Sequence, residues 1–230
     1  MPRTIHTIRS MFHFEPLSEL ALQRYAINSD GSVDFKGGDN GELEVDFILE
    51  LMELYTGLDN FQAERFSQYS ISTILEYLER THAFYESTLL PKIEQSIIGI
   101  KKLFPDHPIS GVLESFFQSY RKELLSHIDM EETKLFPYAR RLAHGGGARD
   151  FSVADFHDMH SHEVEDSLDK IINEIETNHP EVARSFAYRA FHTILQQFRL
   201  DLEIHHHIEE KVFIEMLTLL EEEQDSLPFQ

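Results

Sequence analysis

Two short motifs hold the residues of this sequence best suited to do chemistry. Residues 126–132 read Ser-His-Ile-Asp-Met-Glu-Glu, and residues 204–210 read Ile-His-His-His-Ile-Glu-Glu. Each contains His-x-x-x-Glu, pairing His127 with Glu131 and His205 with Glu209. On a helix, residues four apart lie on one face, about 5 to 6 Å from each other. An imidazole and a carboxylate so placed can share one metal ion, or the carboxylate can bridge two. One such pair alone is usually a solvated helix face. Phase separates these two from that case. His127 and Glu131 continue an apolar stripe of Phe116, Phe117, Tyr120, Leu124, Leu135 and Phe136. His205 and Glu209 fall within a stripe of Ile194, Leu195, Phe198, Leu202, Val212 and Phe213. A buried ionised glutamate is costly unless something pairs with it, and two such pairs suggest a cation held between them.

Two further segments add imidazoles in the same phase. His82 continues the stripe Leu75, Leu78, Tyr85 and Leu89. Residues 156–162 read Phe-His-Asp-Met-His-Ser-His, within an apolar face of Phe156, Val164, Leu168, Ile171 and Ile175. His160 stands four residues from both Phe156 and Val164, so it is assigned inward. His157, a turn away, is a candidate extra ligand. His162 falls with Glu165, Asp166 and Asp169 on the polar side and is the alternative. The candidate metal set is therefore His82, His127, Glu131, His160, His205 and Glu209. Imidazole with carboxylate suits iron, manganese or zinc, and the ligand order does not choose among them. His107, His144 and His179 sit at helix ends or in loops and read as solvated or capping residues, although His107 could fold toward the mouth of a bundle. His206 and His207 flank their motif and are expected to point sideways.

The elements that must position these residues are helical throughout. The sequence predicts long helices over about 67–103, 110–143, 152–178 and 181–223. Their breaks fall at Phe104-Pro-Asp-His-Pro108, Gly145-Gly-Gly147 and Asn178-His-Pro180. Helices of this length with short connections make an antiparallel four-helix bundle. Ahead of it lie two short helices, Phe14 to Ile27 and Val45 to Tyr55, separated by a Gly- and Asp-rich loop from Asn28 to Gly41. The expected organisation is all-α, with a small helical segment over 1–60 and the bundle over 61–230. The front segment is too small to hold a large core alone. It is expected to pack against the bundle or to mediate self-association into a homodimer.

Composition bounds the partners. The 41 acidic residues outnumber the 20 Lys and Arg, for a formal net charge of −21. Such a surface repels phosphate backbones and anionic lipid, so nucleic acid and acidic membranes are not expected as partners. The chain has no cysteine and 14 histidines. That excludes disulfides, thiolate zinc sites, cysteine-ligated clusters and cysteine nucleophiles. With neither a charged-then-apolar leader nor an apolar run near twenty residues, a soluble cytoplasmic protein is expected.

The same residues resemble the hemerythrin-like, His-His-Glu cation-binding family, and within it the bacterial branch that repairs iron centres under nitrosative and oxidative stress. The resembling stretches are Thr81-His82 through Leu90-Pro91, His127 through Glu131 to Pro137, Phe156-x-x-x-His160 and His205-x-x-x-Glu209. Together they lie within about residues 67 to 220. The resemblance implies two non-haem iron ions, with both glutamates as bridges. It implies a role in nitrosative or oxidative stress response or in repair of iron–sulfur centres. Its expected partners are a small diatomic ligand (O2 or NO) and iron-centre client proteins, and it leaves open whether the protein is an enzyme. A reversible oxygen-binding or sensing module is the alternative. Oxygen carriers of the family place a further histidine where this chain has Phe156. The front segment follows the outline of the small domain preceding the bundle in many repair proteins, but Lys36 stands where that domain carries cysteine beside Gly37-Gly38. Met159 replaces the acidic residue that usually precedes the family's third-helix histidine.

Overall fold

A computed structural model describes residues 18–25, 45–146, 151–159 and 165–226. These residues are helical, with no strand among them. The long helical runs cover 71–103, 108–143 and 186–226, and the third predicted helix is observed as Val153–Met159 and Glu165–Asn178. In the front segment the helices are Ser18–Arg24 and Val45–Leu54. A short 3₁₀ turn, Leu58–Asn60, and a one-turn helix, Ala63–Phe66, follow them.

Local chemistry sets most of the ends. Ser70 Oγ accepts a bond of 3.1 Å from Thr73 N–H, so Ser70 caps the helix that begins at Ile71. His107 caps the helix Pro108–Met130, with proline at its first position. After Ala143 the chain closes in a Schellman turn. Gly146 N–H donates to Arg141 O at 3.0 Å, Gly145 N–H donates to Leu142 O at 3.0 Å, and Gly145 takes φ of 74°, where glycine has no Cβ penalty. The fourth run begins later than predicted. Pro180–Ala183 forms a separate turn, and Ser185 Oγ accepts from Tyr188 N–H at 3.1 Å to start the helix again at Phe186.

Each of the three uninterrupted runs contains a π-helical turn: Tyr85–Leu89, Glu131–Leu135 and Glu209–Ile214. The consequence is visible in burial. Residues five apart on an α-helix differ by about 140° in direction. Yet Tyr85 and Leu90, Glu131 and Phe136, and Glu209 and Ile214 are all at most 2% exposed. The i→i+5 bonding of the widened turn brings the members of each pair nearer to one face than an α-helix would. Proline explains two of these turns. Pro91 and Pro137 lack an N–H and would clash with the carbonyl four residues earlier. Those carbonyls belong to Ser87 and Thr133, inside the widened turns. The third turn has no proline.

The chain forms two compact units. The first comprises the described residues up to Ala83 together with Leu200–Leu219. Its core contains Leu20, Phe47, Leu51, Tyr77, Leu78 and Phe213. Phe47 makes edge-on ring contacts with Phe66, Tyr69 and Tyr77 at 5.1 to 5.9 Å. Each such contact contributes about 0.5–1.5 kcal/mol beyond burial. The front helices therefore pack on the start of the first long run and the latter part of the fourth. At the centre, Arg24 donates to Asp201, which also accepts from the Tyr55 hydroxyl; both members of the ion pair are fully buried. The Arg24 guanidinium also lies 5.4 Å from the Tyr77 ring centre.

The second unit comprises Phe84–Arg199 and the described residues from Leu220 onward. Here the helices Leu90–Leu103 and Glu165–Asn178 both pack on Pro108–Met130. Tyr85 and Tyr120 place their rings edge-on against Phe198 at 5.3 and 6.0 Å. Glu221 accepts from both the Tyr138 hydroxyl and Val153 N–H, tying its helical turn to the rest of this unit. Among the described residues, no helix is long and apolar enough to cross a membrane.

Candidate metal centre

Three of the candidate ligands lie in the first unit. His82 is 1% exposed, His205 5% and Glu209 1%. The rings of His82 and His205 are 5.1 Å apart and tilted by 55°. His205 Nε2 stands 3.9 Å from Glu209 Oε2, an ion-pair separation rather than a hydrogen bond. The Tyr77 ring is 6.4 Å from that of His205. Burial holds the Tyr77 phenol well above its ordinary value, against the opposing pull of the Arg24 charge. Asp201 lies one turn before His205 on the same helix, so the buried Arg24–Asp201–Tyr55 cluster anchors the helix that presents His205 and Glu209.

The second unit contributes His127 and Glu131. His127 Nε2 is 2.6 Å from Glu131 Oε1. Glu131 is fully buried, whereas the His127 side chain is 23% exposed. The next residue, Ile128, takes the deeper position at 2%. His127 thus sits at the edge of the apolar stripe, with its ring nitrogen directed at the carboxylate inside it.

The donor set is chemically suited to a cation. It consists of imidazoles and carboxylates on helices, and four of these five side chains are almost inaccessible to water. Two buried carboxylates cost several kcal/mol each unless opposite charge is supplied. The described residues include groups of histidine and glutamate that could hold a metal ion. Glu131 and Glu209 each open a π turn, and the third such turn begins three residues after His82. Single π turns within α-helices are rare and occur frequently at functional sites.

The third-helix ligand, His160, and its alternative, His162, lie outside the described residues. The face assigned to His160 is buried at Phe156, Leu168, Ile171 and Ile175. His157 is exposed, its ring 5.8 Å from that of Phe156. Phe35 to Gly38 also lie outside the described residues. His207 turns aside as expected, its Nδ1 donating to Glu203 O at 2.9 Å and its ring packing edge-on against Phe61 at 5.2 Å.

Sequence reasoning missed the π turns and the buried ion pair. Pro91 and Pro137 were the signal for two of the turns. Asp201, set between Phe198 and Leu202 in an apolar stripe, was the signal for the ion pair.

The described residues are all-helical, with histidine–glutamate groups that could hold a metal ion. Comparison with family models, curated proteins and solved structures yields no significant match.

Proposed function

We propose that the chain is a non-haem di-iron-binding protein whose two ions are held by His82, His127, Glu131, His160, His205 and Glu209 within an antiparallel four-helix bundle of hemerythrin-like kind. One observation carries this reading: the carboxylate of each His-x-x-x-Glu pair, Glu131 and Glu209, is buried and opens a π turn. A widened turn costs backbone regularity, and a buried carboxylate costs solvation. A cation held at these carboxylates would offset the solvation cost, and the widened turns set where the carboxylates stand.

A bound iron pair would supply redox change and exchangeable positions for a diatomic ligand. The chain's own residues hold and orient that pair. His82 and His205 present imidazoles from the interior, and Asp201 steadies the helix behind His205. On the family resemblance, Glu131 and Glu209 would serve as bridges. Manganese and zinc fit the same donor chemistry, so the choice of iron rests on the family resemblance.

The physiological role we propose is in nitrosative or oxidative stress response or repair of iron centres, acting with O2 or NO and with iron-centre client proteins. Phe156 is fully buried. It offers no imidazole where oxygen carriers place one, which would leave more exchangeable positions on a bound metal pair. That supports reaction or iron release over reversible oxygen carriage.

Elemental analysis of the full chain, purified without added metal, tests the core of this reading. Two ions per chain are expected, with iron the principal metal. Glu131→Ala and Glu209→Ala should each lower the content of both ions, because a bridge serves two metals. One ion or none in fully folded wild-type protein overturns the two-metal centre. Loss of one ion only in both variants overturns the bridging roles.

A further inference from the structure

A second group of ligand-type side chains lies within the 84–199 unit, made of residues that the proposed centre does not use. The sequence repeats one small pattern there: His107 precedes Pro108, and His179 precedes Pro180. A residue before proline is held away from helical backbone. His107 has φ of −82° and ψ of 130°, and His179 has φ of −133° and ψ of 59°. Each histidine is thereby fixed at the mouth of a helix.

The two mouths meet. His107 Nε2 lies 2.7 Å from Glu181 Oε1, and the His107 and His179 rings stand edge-on at 5.0 Å. One ligand atom from each of His107, His179 and Glu181 lies within 4.8 Å of the others. The imidazoles are 21% and 22% exposed, while Glu181 is 55% exposed. Two donors are therefore held by their surroundings, and the third closes the group from the solvent side. Glu174 Oε1, 3.6 Å from His179 Nε2, adds negative charge beside them.

We propose that His107, His179 and Glu181 form a second cation site, taking a divalent transition metal of the zinc type. Two imidazoles and one carboxylate, with water in a fourth position, make an open tetrahedral zinc site. Zinc–ligand bonds of about 2.0–2.1 Å place neighbouring donors about 3.3 Å apart. Small rotations of the side chains bring the three together. At His107 the metal takes Nε2, and any proton held there passes to solvent. Nδ1 then carries the ring hydrogen, at the expense of the long 3.3 Å bond from Ile109 N–H, while the metal takes the place of the His107–Glu181 hydrogen bond. A solitary His107–Glu181 hydrogen bond would not need a second imidazole held edge-on beside it.

None of these residues belongs to the di-iron reading, so the two proposals fail separately. The test is calorimetric titration of the full chain with zinc chloride, comparing wild type with His179→Ala and His107→Asn. Asparagine is a good helix cap and preserves that role at 107. Wild type is expected to bind one more zinc equivalent than either variant. Losing even an outer partner of a metal ligand weakens binding about 10- to 100-fold; losing a ligand should weaken it by at least the upper figure. Both variants should keep wild-type iron content and zinc-free melting temperature. Equal zinc stoichiometry and affinity in all three proteins overturns the site, whatever metal the buried centre contains.

Discussion

Removing the Asp201 carboxylate should uncouple the front helices from the helix that presents His205 and Glu209. Asp201 and Arg24 are both fully buried, and the Tyr55 hydroxyl also donates to Asp201. Asp201→Ala leaves the Arg24 charge inside the core without this counter-ion and deprives Tyr55 of its acceptor. Breaking a buried pair from one side costs about 3–5 kcal/mol. The lost phenol bond belongs to the same network, so it falls within that range rather than adding to it. For a chain of this size, about 2–4 °C of melting temperature follows each kcal/mol, so a fall of about 6–20 °C is expected. The companion variant is Arg24→Met with Asp201→Leu. It replaces both charges with apolar groups and should stay within about 1 kcal/mol of wild type, or exceed it. Urea unfolding followed by circular dichroism gives both values, and metal content of the folded fraction reports on His205 and Glu209. A cost below about 1 kcal/mol for Asp201→Ala would refute the buried-pair reasoning. So would a double variant as unstable as the single one.

Two other outcomes follow from the same physical picture. On the third helix, His160→Ala should lower metal content and stability. His162→Ala should change stability by less than about 0.5 kcal/mol and leave metal content intact; the reverse result would mean a different helical register. The phenols of Tyr25, Tyr55 and Tyr77 are raised above their ordinary value, chiefly by burial. A raised folded value means that the native state keeps protons the unfolded chain gives up. Their contribution is therefore fully present below about pH 10 and declines as pH rises through the alkaline range. Alkaline titration should show these phenolates appearing together with loss of helix, and their ionisation in still-folded protein would contradict the burial.

Much of the molecule was legible from its sequence because the relevant physics is local. Helical period, proline and glycine breaks and capping residues located the long runs to within a few residues. The same period put His82, Glu131, His205 and Glu209 on buried faces, where the structure has them. Ligand type was legible too, since a chain without cysteine offers imidazole and carboxylate to a transition metal. Other features depend on residues distant in the chain. Arg24 meets Asp201 across 177 positions, and no helical period reports a partner on another element. His107 read as a solvated cap, and it does cap its helix. Its contact with Glu181 appears only because the turn at His179 and Glu181 folds against it, 74 positions from His107 to Glu181. The π turns lie between these cases. Proline favours two of them locally, but the turn Glu209–Ile214 has no proline, so nothing local in the sequence marks it. The helical period records only which face of one helix is apolar, so it carries neither a partner on another element nor a widened turn that packing selects.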